Sequence, residues 1–171
     1  MSTELRPEQL ERQVARLEDR AQLYDLVMAY GYLEDARRWD DMLALYTDDI
    51  ERELAGSLTE IVRGKAELRD RLVTPVMEAK SGRVAASRAQ VEQLGLRHLI
   101  VSVAIEIAAD GMAASAVAQY ILVATRDGAA GFERGSHEGS YEFEFRKADG
   151  TWKFARQLIV TNNAHNPMFG A

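Results

Sequence analysis

The sequence predicts an α+β fold in which helices come first and a long antiparallel sheet follows. Across the first half, apolar residues recur at spacings of three and four, which is the period of an amphipathic helix. The second half alternates apolar and polar residues, as strands do, and turn sequences divide it into segments. Because the two periods are segregated along the chain, we expect helices packed on a curved antiparallel sheet that encloses a pocket.

Three helical segments are predicted in the first half. The helical period runs over 8–35 with Gly31 as its only glycine or proline, which fits one long helix or one broken helix. A short helix is predicted at 39–46, where the apolar side chains share one face. A further helix is expected over 65–77, and Pro75 disturbs it near its end because proline cannot donate a backbone hydrogen bond.

Alternation predicts two short extended segments and four longer strands, at 50–54, 60–63, 98–107, 113–125, 136–146 and 152–160. An Asp149-Gly150 pair, which is favoured in tight hairpin turns, joins the last two strands. The polar segment 78–93 is expected to form a mobile loop or lid. Since no repeat or linker divides the chain, residues 1–171 are expected to form a single domain.

The composition excludes several classes of function. With 27 acidic and 21 basic residues the net charge is −6, so nucleic acid is not an expected partner. The absence of cysteine excludes disulfides, thiolate nucleophiles and cysteine–zinc sites. The sequence shows no secretory signal and no run of about 18 apolar residues of the kind that spans a membrane. We therefore expect a cytoplasmic protein that does not interact with membranes.

His98 is the first candidate for acid–base chemistry. It opens the first long strand, where alternation places its side chain on the same face as Ile100 and Ser102. Imidazole is the side chain whose ordinary pKa suits proton transfer near neutral pH. The alternative is a core histidine with a satisfied hydrogen bond, and the local pattern leaves both open.

Three further side chains are candidates for the same site. Asp35 ends the long helix, where the helix dipole disfavours an acid, so it is either functional or a solvated loop acid. Tyr30 either offers its hydroxyl to the pocket or fills the core. Arg156 falls on the apolar face of the last strand, where its partner is Glu142, Glu144 or a substrate oxygen.

The sequence contains none of the common cofactor or metal motifs. It has no HxH or HExxH pattern, no glycine-rich phosphate loop before a helix, and no GxSxG nucleophile elbow. We therefore expect neither a cofactor nor a metal, and acid–base chemistry by side chains becomes the main enzymatic option.

Three segments resemble the SnoaL-like family, which shares the cone fold of nuclear transport factor 2. The run LEDRAQLYDLVMAYGYLEDARRWDDMLALYTDDI resembles the family's opening, in which Tyr30, Asp35, Trp39 and the 46–49 sequence YTDD match its pattern. The segment RHLIVSVAIEI is similar to the family's histidine-bearing strand, and GSYEFEFRKADGTWKFARQLIV to its final hairpin. The resemblance implies a cone-shaped barrel.

The resemblance also implies an activity. In this superfamily scytalone dehydratase, bile-acid 7α-dehydratases and hexachlorocyclohexane dehydrochlorinase use an Asp–His pair for elimination without a cofactor. Asp35 and His98 match that pair by position, and Tyr30 matches the tyrosine of the bile-acid dehydratases. The implied protein is a lyase that eliminates from, or deformylates, a bulky apolar, aromatic or polycyclic small molecule. His98 would take a proton while Asp35 fixes its tautomer.

The sequence also suggests which residues line the pocket and which other functions the fold could serve. The expected lining residues are Trp39, Tyr46, Leu72, Val76, Met77, Ile100, Tyr120 and Phe154, and Trp39, Tyr46, Tyr120, Phe154 and Arg156 are the candidate substrate contacts. The same fold also serves as the non-catalytic small β-type subunit of ring-hydroxylating dioxygenases, as a ligand-binding module and as an isomerase or cyclase. This chain has ERELAGS where those subunits carry an aromatic-Pro segment, which favours the lyase. An apolar outer face formed by Leu99, Val101 and Val103 would suit a homodimer or homotrimer.

Overall fold

The computed structural model describes residues 6–55, 60–73, 95–128 and 131–162, which form three helices and a six-stranded sheet. The helices are α1 (Pro7–Asp35), α2 (Trp39–Ala44) and α3 (Lys65–Val73). The strands are β1 (Tyr46–Ala55), β2 (Glu60–Arg63), β3 (Gly95–Ile107), β4 (Ala113–Gly128), β5 (Gly131–Ala148) and β6 (Thr151–Thr161). The predicted α+β class is confirmed. None of the described helices is long and apolar enough to cross a membrane.

The sheet is curved and mixed, with the strand order β2-β1-β6-β5-β4-β3, and it is not closed. Strands β3 to β6 form the predicted antiparallel meander, whose last hairpin turns at Asp149 and Gly150, both with positive φ. The sheet departs from the expected antiparallel arrangement at one pair, where β1 runs parallel to β6. Two strands that are joined through a long crossover, here through α3 and the meander, can pair in parallel, whereas a short hairpin cannot connect parallel strands.

Helix α1 is one unbroken helix of 29 residues, and Gly31 lies inside it. A Cβ at Gly31 would lie 3.2 Å from Cβ of His98 and 3.4 Å from Cδ1 of Ile100. The missing side chain therefore lets the last turns of α1 pack closely on β3. The buried face of the helix consists largely of apolar residues: Leu23, Leu26, Val27, Tyr30 and Leu33.

The predicted second helix, at 39–46, is shorter in the structure. It was expected to reach Tyr46, but α2 ends at Ala44 and β1 begins at Tyr46. Pairing with β6 accounts for the change, because Phe154 donates its backbone N–H to the Leu45 carbonyl at 2.9 Å and Tyr46 pairs with Phe154. Helix α3 extends to Val73, and the rest of its predicted length, together with segment 78–93, lies outside the described residues.

A β-bulge in β3 changes which side chains face the helices. The register shifts between Ile100 and Ser102, so Val101 has no partner on β4. His98 and Ile100 are partly buried before the bulge, and after it Val103 is the partly buried residue that packs on the core. The expectation that Val103 joins Leu99 and Val101 on the outer face is therefore wrong, although the other two are exposed.

A second bulge, in β6, has the same effect on the last strand. Phe154 pairs with Phe145 but Arg156 pairs with Glu144, so Ala155 is the extra residue. Trp152 and Phe154 are buried before the bulge, and Gln157 is buried after it. The bulge thereby reverses the predicted alternation from Arg156 onward.

We predict that Gly31→Val destabilises the fold, because its side chain must displace His98 and Ile100 from α1. Overpacking of this kind costs about 1–3 kcal/mol, and for a chain of this size each kcal/mol lowers the melting temperature by about 2–4 °C. Circular dichroism melting will measure the change. The control Met28→Val adds the same β-branched residue on an exposed face of α1, and an equal loss in both variants would contradict the close-packing explanation.

Candidate functional site

Asp35 and His98 meet where the end of α1 reaches the start of β3. Oδ1 of Asp35 lies 2.7 Å from Nδ1 of His98. The backbone N–H of His98 also donates to the same carboxylate, at 2.9 Å to Oδ2 and 3.1 Å to Oδ1. These contacts stabilise an acid at a helix C-terminus in spite of the helix dipole. They hold both the ring and the backbone of His98, and Nδ1 is the nitrogen that donates to Asp35.

Glu34, which the sequence analysis did not single out, lies on the other side of the ring. Its Oε2 is 3.7 Å from Nε2 of His98. Consecutive residues on a helix point about 100° apart, which lets Glu34 and Asp35 reach opposite nitrogens of one imidazole. Oε2 of Glu34 is buried and has no hydrogen-bond partner in the described part of the chain. The sequence could not predict this contact, because two adjacent acids on a helix ordinarily lie on its solvent-exposed face.

The surroundings of His98 favour its protonated form. Burial, the largest single influence, lowers the pKa of His98, but the charge of Glu34 and the hydrogen bond and charge of Asp35 raise it. The raising influences prevail over burial and over the opposing charge of Arg52, so the pKa lies above the ordinary value of 6.5. The imidazole therefore lies between two acidic side chains whose combined influence outweighs burial and the charge of Arg52.

Tyr30 lies beside the pair but beneath a layer of aromatic rings. Its ring centroid is 6.2 Å from that of His98 and 5.4 Å from that of Tyr141. Its hydroxyl interacts with Glu34 and with Arg52. Burial raises the pKa of Tyr30 well above its ordinary value, and the charge of Glu34 raises it further. The hydroxyl therefore stays protonated at neutral pH and can act as a hydrogen-bond donor.

Arg52 and Gln157 extend the polar cluster, and sequence reasoning missed both. They are paired across β1 and β6, and both are buried. Tyr46 donates its hydroxyl to Oε1 of Gln157 at 3.0 Å. Burial on its own lowers the pKa of Arg52, but the neighbouring Tyr30 and Glu34 raise it and prevail. The sequence carried a weak indication that Arg52 is buried, because Arg52 lies two residues after the buried Ile50 and therefore on the same face of β1.

The predicted lining residues take different places in the fold. Trp39, Leu72 and Ile100 are partly buried against the core. Tyr46 and Phe154 are wholly buried. Val76 and Met77 lie outside the described residues, and so does His165 of the C-terminal segment.

Tyr120 is buried in the aromatic layer of the sheet. Its ring stacks on that of Tyr141 with centroids 4.2 Å apart, and its edge contact with His137 is 5.9 Å. Its hydroxyl lies 3.2 Å from Oγ1 of Thr161. These contacts make Tyr120 part of the wall behind the polar cluster.

Arg156 is not part of this cluster, and its expected position on the inner face is wrong. The bulge at Ala155 directs its side chain to the outer face of the sheet. There it forms ion pairs with Glu144 at 3.5 Å, Glu53 at 3.8 Å and Glu51 at 3.9 Å. Glu144 was one of the two structural partners expected from the sequence. Arg156 therefore cannot contact a ligand held at His98.

The arrangement can transfer protons and can accept or donate hydrogen bonds. Glu34, Asp35, His98 and Tyr30 provide two carboxylates, an imidazole and a phenol within one cluster. Among the residues that the structure describes, no three His, Cys, Asp or Glu side chains are grouped to hold a metal ion.

Comparison with known proteins identifies the family. Residues 15–157 match the SnoaL-like domain family. The chain belongs to that family. This confirms the resemblance seen in the sequence. No curated protein matches this SnoaL-like chain significantly in sequence.

Solved structures show the same fold. An NTF2-like protein with a cystatin-like fold from Novosphingobium aromaticivorans superposes with a TM-score of 0.71 at 18% identity, covering 94% of this chain and 92% of that one. A hexachlorocyclohexane dehydrochlorinase of type 2 gives 0.68 at 16% identity, covering 90% and 92%. A protein from N. aromaticivorans, named as the β subunit of an aromatic-ring-hydroxylating dioxygenase, gives 0.65 at 22% identity, covering 89% and 94%. At these identities the likeness shows the NTF2-like fold alone.

The raised pKa of His98 predicts how stability depends on pH. A group whose pKa is raised on folding stabilises the native state fully below its unfolded pKa, here about 6.5. That contribution is lost as the pH rises through the native pKa. We therefore expect the stability difference between the wild type and His98→Gln to be larger at pH 6 than at pH 9, as measured by urea unfolding.

His137 provides a control of opposite sign. Burial lowers its pKa, and the charge of His98 lowers it further. Its contribution is therefore present above the unfolded pKa and lost as the pH falls below it. His137→Gln should consequently cost less at low pH than at high pH. The same trend in both variants would contradict a raised pKa of His98.

Proposed function

We propose that this SnoaL-like protein is a cofactor-independent lyase that performs an elimination at the Asp35–His98 pair. The observation that carries the proposal is the 2.7 Å contact between Oδ1 of Asp35 and Nδ1 of His98. A carboxylate that holds one imidazole nitrogen fixes the tautomer and leaves the other nitrogen to exchange a proton with a substrate. The dehydrochlorinase among the fold neighbours performs a reaction of this class, as its name states.

In this mechanism each residue has a defined task. Asp35 orients the ring and stabilises the imidazolium form. His98 exchanges a proton with the substrate at Nε2. Tyr30 remains protonated, and its hydroxyl positions Glu34 and Arg52 around the reacting groups. Proton transfer by a positioned side chain contributes about 10²–10⁴-fold to a rate.

The proposed substrate is a bulky apolar small molecule, aromatic or polycyclic. The side chains next to the polar cluster are largely aromatic or aliphatic: Tyr141, Phe143 and Phe154 pack against the ring of Tyr30, and Ile100 lies beside His98 against Gly31. A mostly apolar site with a few polar groups is typical of sites that bind such ligands. The class of elimination, loss of water, loss of halide or deformylation of an aryl compound, is set by the leaving group of the substrate.

We expect Asp35→Asn and His98→Gln to lower turnover by about 10²-fold or more, because each removes a group needed for proton transfer. The assay screens hydroxylated and halogenated aromatic and polycyclic compounds for the ultraviolet absorbance of a newly formed double bond. Product analysis by mass spectrometry separates elimination, which loses a small molecule, from isomerisation or cyclisation, which conserves mass.

Asp41→Asn is the matched control, because Asp41 is an exposed acid of α2 that pairs with Arg38. It should keep wild-type turnover. Full activity of a folded Asp35→Asn or His98→Gln variant would refute the role of the pair.

The second candidate is a non-catalytic subunit or ligand-binding module. Two observations favour it: the fold likeness to a protein named as a dioxygenase β subunit, and the exposed apolar side chains Leu99, Val101 and Val117 on β3 and β4. The same face would suit the homodimer or homotrimer that we propose for the lyase. Sedimentation of the purified protein distinguishes self-association from dependence on a larger partner, and an inert protein in the substrate screen would favour the subunit.

A further inference from the structure

Glu34 is an acidic side chain at the centre of this site, and the mechanism above assigns it no chemical step. Its side chain is 18% exposed, against 10% for Asp35 and 4% for His98. Of the three side chains Glu34, Asp35 and His98, Glu34 is therefore the one that a ligand reaches most readily. Its Oε2 is buried and unpartnered among the described residues, and it faces Nε2 of His98 at 3.7 Å.

The positions of the three groups favour one arrangement of the protons. Nδ1 of His98 must carry a proton to bond Asp35 at 2.7 Å. With a neutral ring and an ionised Glu34, the lone pair of Nε2 would face a carboxylate oxygen with no hydrogen between them, which is repulsive. A proton on Nε2 makes the contact attractive. The charges agree with this, because the carboxylates of Glu34 and Asp35 are then balanced by Arg52 and an imidazolium.

We propose that the site rests with a proton on Nε2 of His98 facing Glu34, so that His98 acts as the general acid and Glu34 as the general base. This inference rests on the proposed lyase function and reverses the proton-accepting role that the sequence suggested for His98. It also defines the substrate class. An imidazolium assists a leaving group that needs a proton, such as a hydroxyl, so the reaction is a dehydration.

The step balances within the site. A Glu34 oxygen takes the proton from the carbon next to the one that carries the hydroxyl, and the C–H electron pair becomes the new C=C bond. The C–O bond breaks, and the leaving oxygen takes the proton from Nε2 and departs as water. The site is left with a protonated Glu34 and a neutral imidazole that face each other. Transfer of the Glu34 proton to Nε2 restores the resting state without another reagent.

Other titratable or charged groups also face the imidazole. Asp35, Glu34 and Tyr30 face it from α1, Arg52 from β1, and His137 from β5. The charge of Arg52 opposes protonation of His98, whereas the charges of both carboxylates favour it. The lowered pKa of His137 keeps that ring from competing for the proton.

The first test needs no substrate. Nitrogen NMR of ¹⁵N-histidine-labelled protein should show both ring nitrogens of His98 protonated at pH 7. In Glu34→Gln the titration midpoint of His98 should move to lower pH, and in Glu34→Asp it should lie between those two. Glu18→Gln, an exposed acid on α1, is the control and should leave the titration unchanged. An unprotonated Nε2 in the wild type at pH 7 would overturn the proposal.

The second test uses the hydroxylated compounds that the wild type turns over. The proposal expects kcat to fall as pH rises through the midpoint measured by NMR, because the acid is lost. A general base at His98 would give the opposite slope, and that result would refute the assignment. Glu34→Gln should lose about 10²-fold or more in kcat, and His98→Gln should lose more with a hydroxyl leaving group than with a halide.

The two tests separate the two proposals. If NMR shows the doubly protonated ring but no compound is eliminated, the lyase function is refuted, and the assigned roles are refuted with it. If elimination occurs and Glu34→Gln keeps wild-type kcat, the lyase stands and Glu34 is not its base.

Discussion

The site depends on the hydrogen bonds between the carboxylate of Asp35 and His98 on the neighbouring strand. Asp35 accepts hydrogen bonds from both the ring and the backbone of His98. The end of α1 is thereby fixed against the first residues of β3. Gly31, which has no side chain, allows the close approach that this requires. Because Glu34 precedes Asp35 on the same helical turn, the interaction that orients the ring also places the second carboxylate. A change in the position of the helix end would therefore disturb both nitrogens of the imidazole at once.

The polar cluster is costly to bury, and its surroundings explain why it can persist. Ionised groups taken out of water are stable only when they are paired and hydrogen-bonded. Here Asp35 is satisfied by His98, whereas Glu34 and Arg52 each keep a buried atom without a hydrogen-bond partner in the described chain. The rings of Tyr141 and Phe143 pack edge-on against the ring of Tyr30. Incomplete pairing of this kind lowers the stability of the folded state. It is typical of sites where a ligand or a moving proton completes the hydrogen-bond network.

Sequence periodicity predicted the α+β class, the helical segment at 8–35 and the final hairpin, because each depends on a local pattern. The meeting of Asp35 and His98 was predicted through family resemblance, since no local signal connects residues so far apart. The bulges at Val101 and Ala155 could not be predicted. Each adds one residue to a strand, and a shift of one residue exchanges the two faces without altering the composition. The parallel pairing of β1 with β6 and the role of Glu34 also depend on long-range packing.

The bulge at Ala155 shows how one such shift determines the chemistry. With unbroken alternation in β6, Arg156 would face the same side as Phe154 and would lie next to Arg52, its neighbour on the parallel strand. Two guanidinium groups would then balance the carboxylates of Glu34 and Asp35, and a proton on His98 would add an unbalanced positive charge. The bulge instead turns Arg156 out to three surface glutamates and brings the neutral Gln157 inward. Arg52 is then the guanidinium whose charge opposes protonation of His98. The excess negative charge that favours an imidazolium therefore depends on a single extra residue in the last strand.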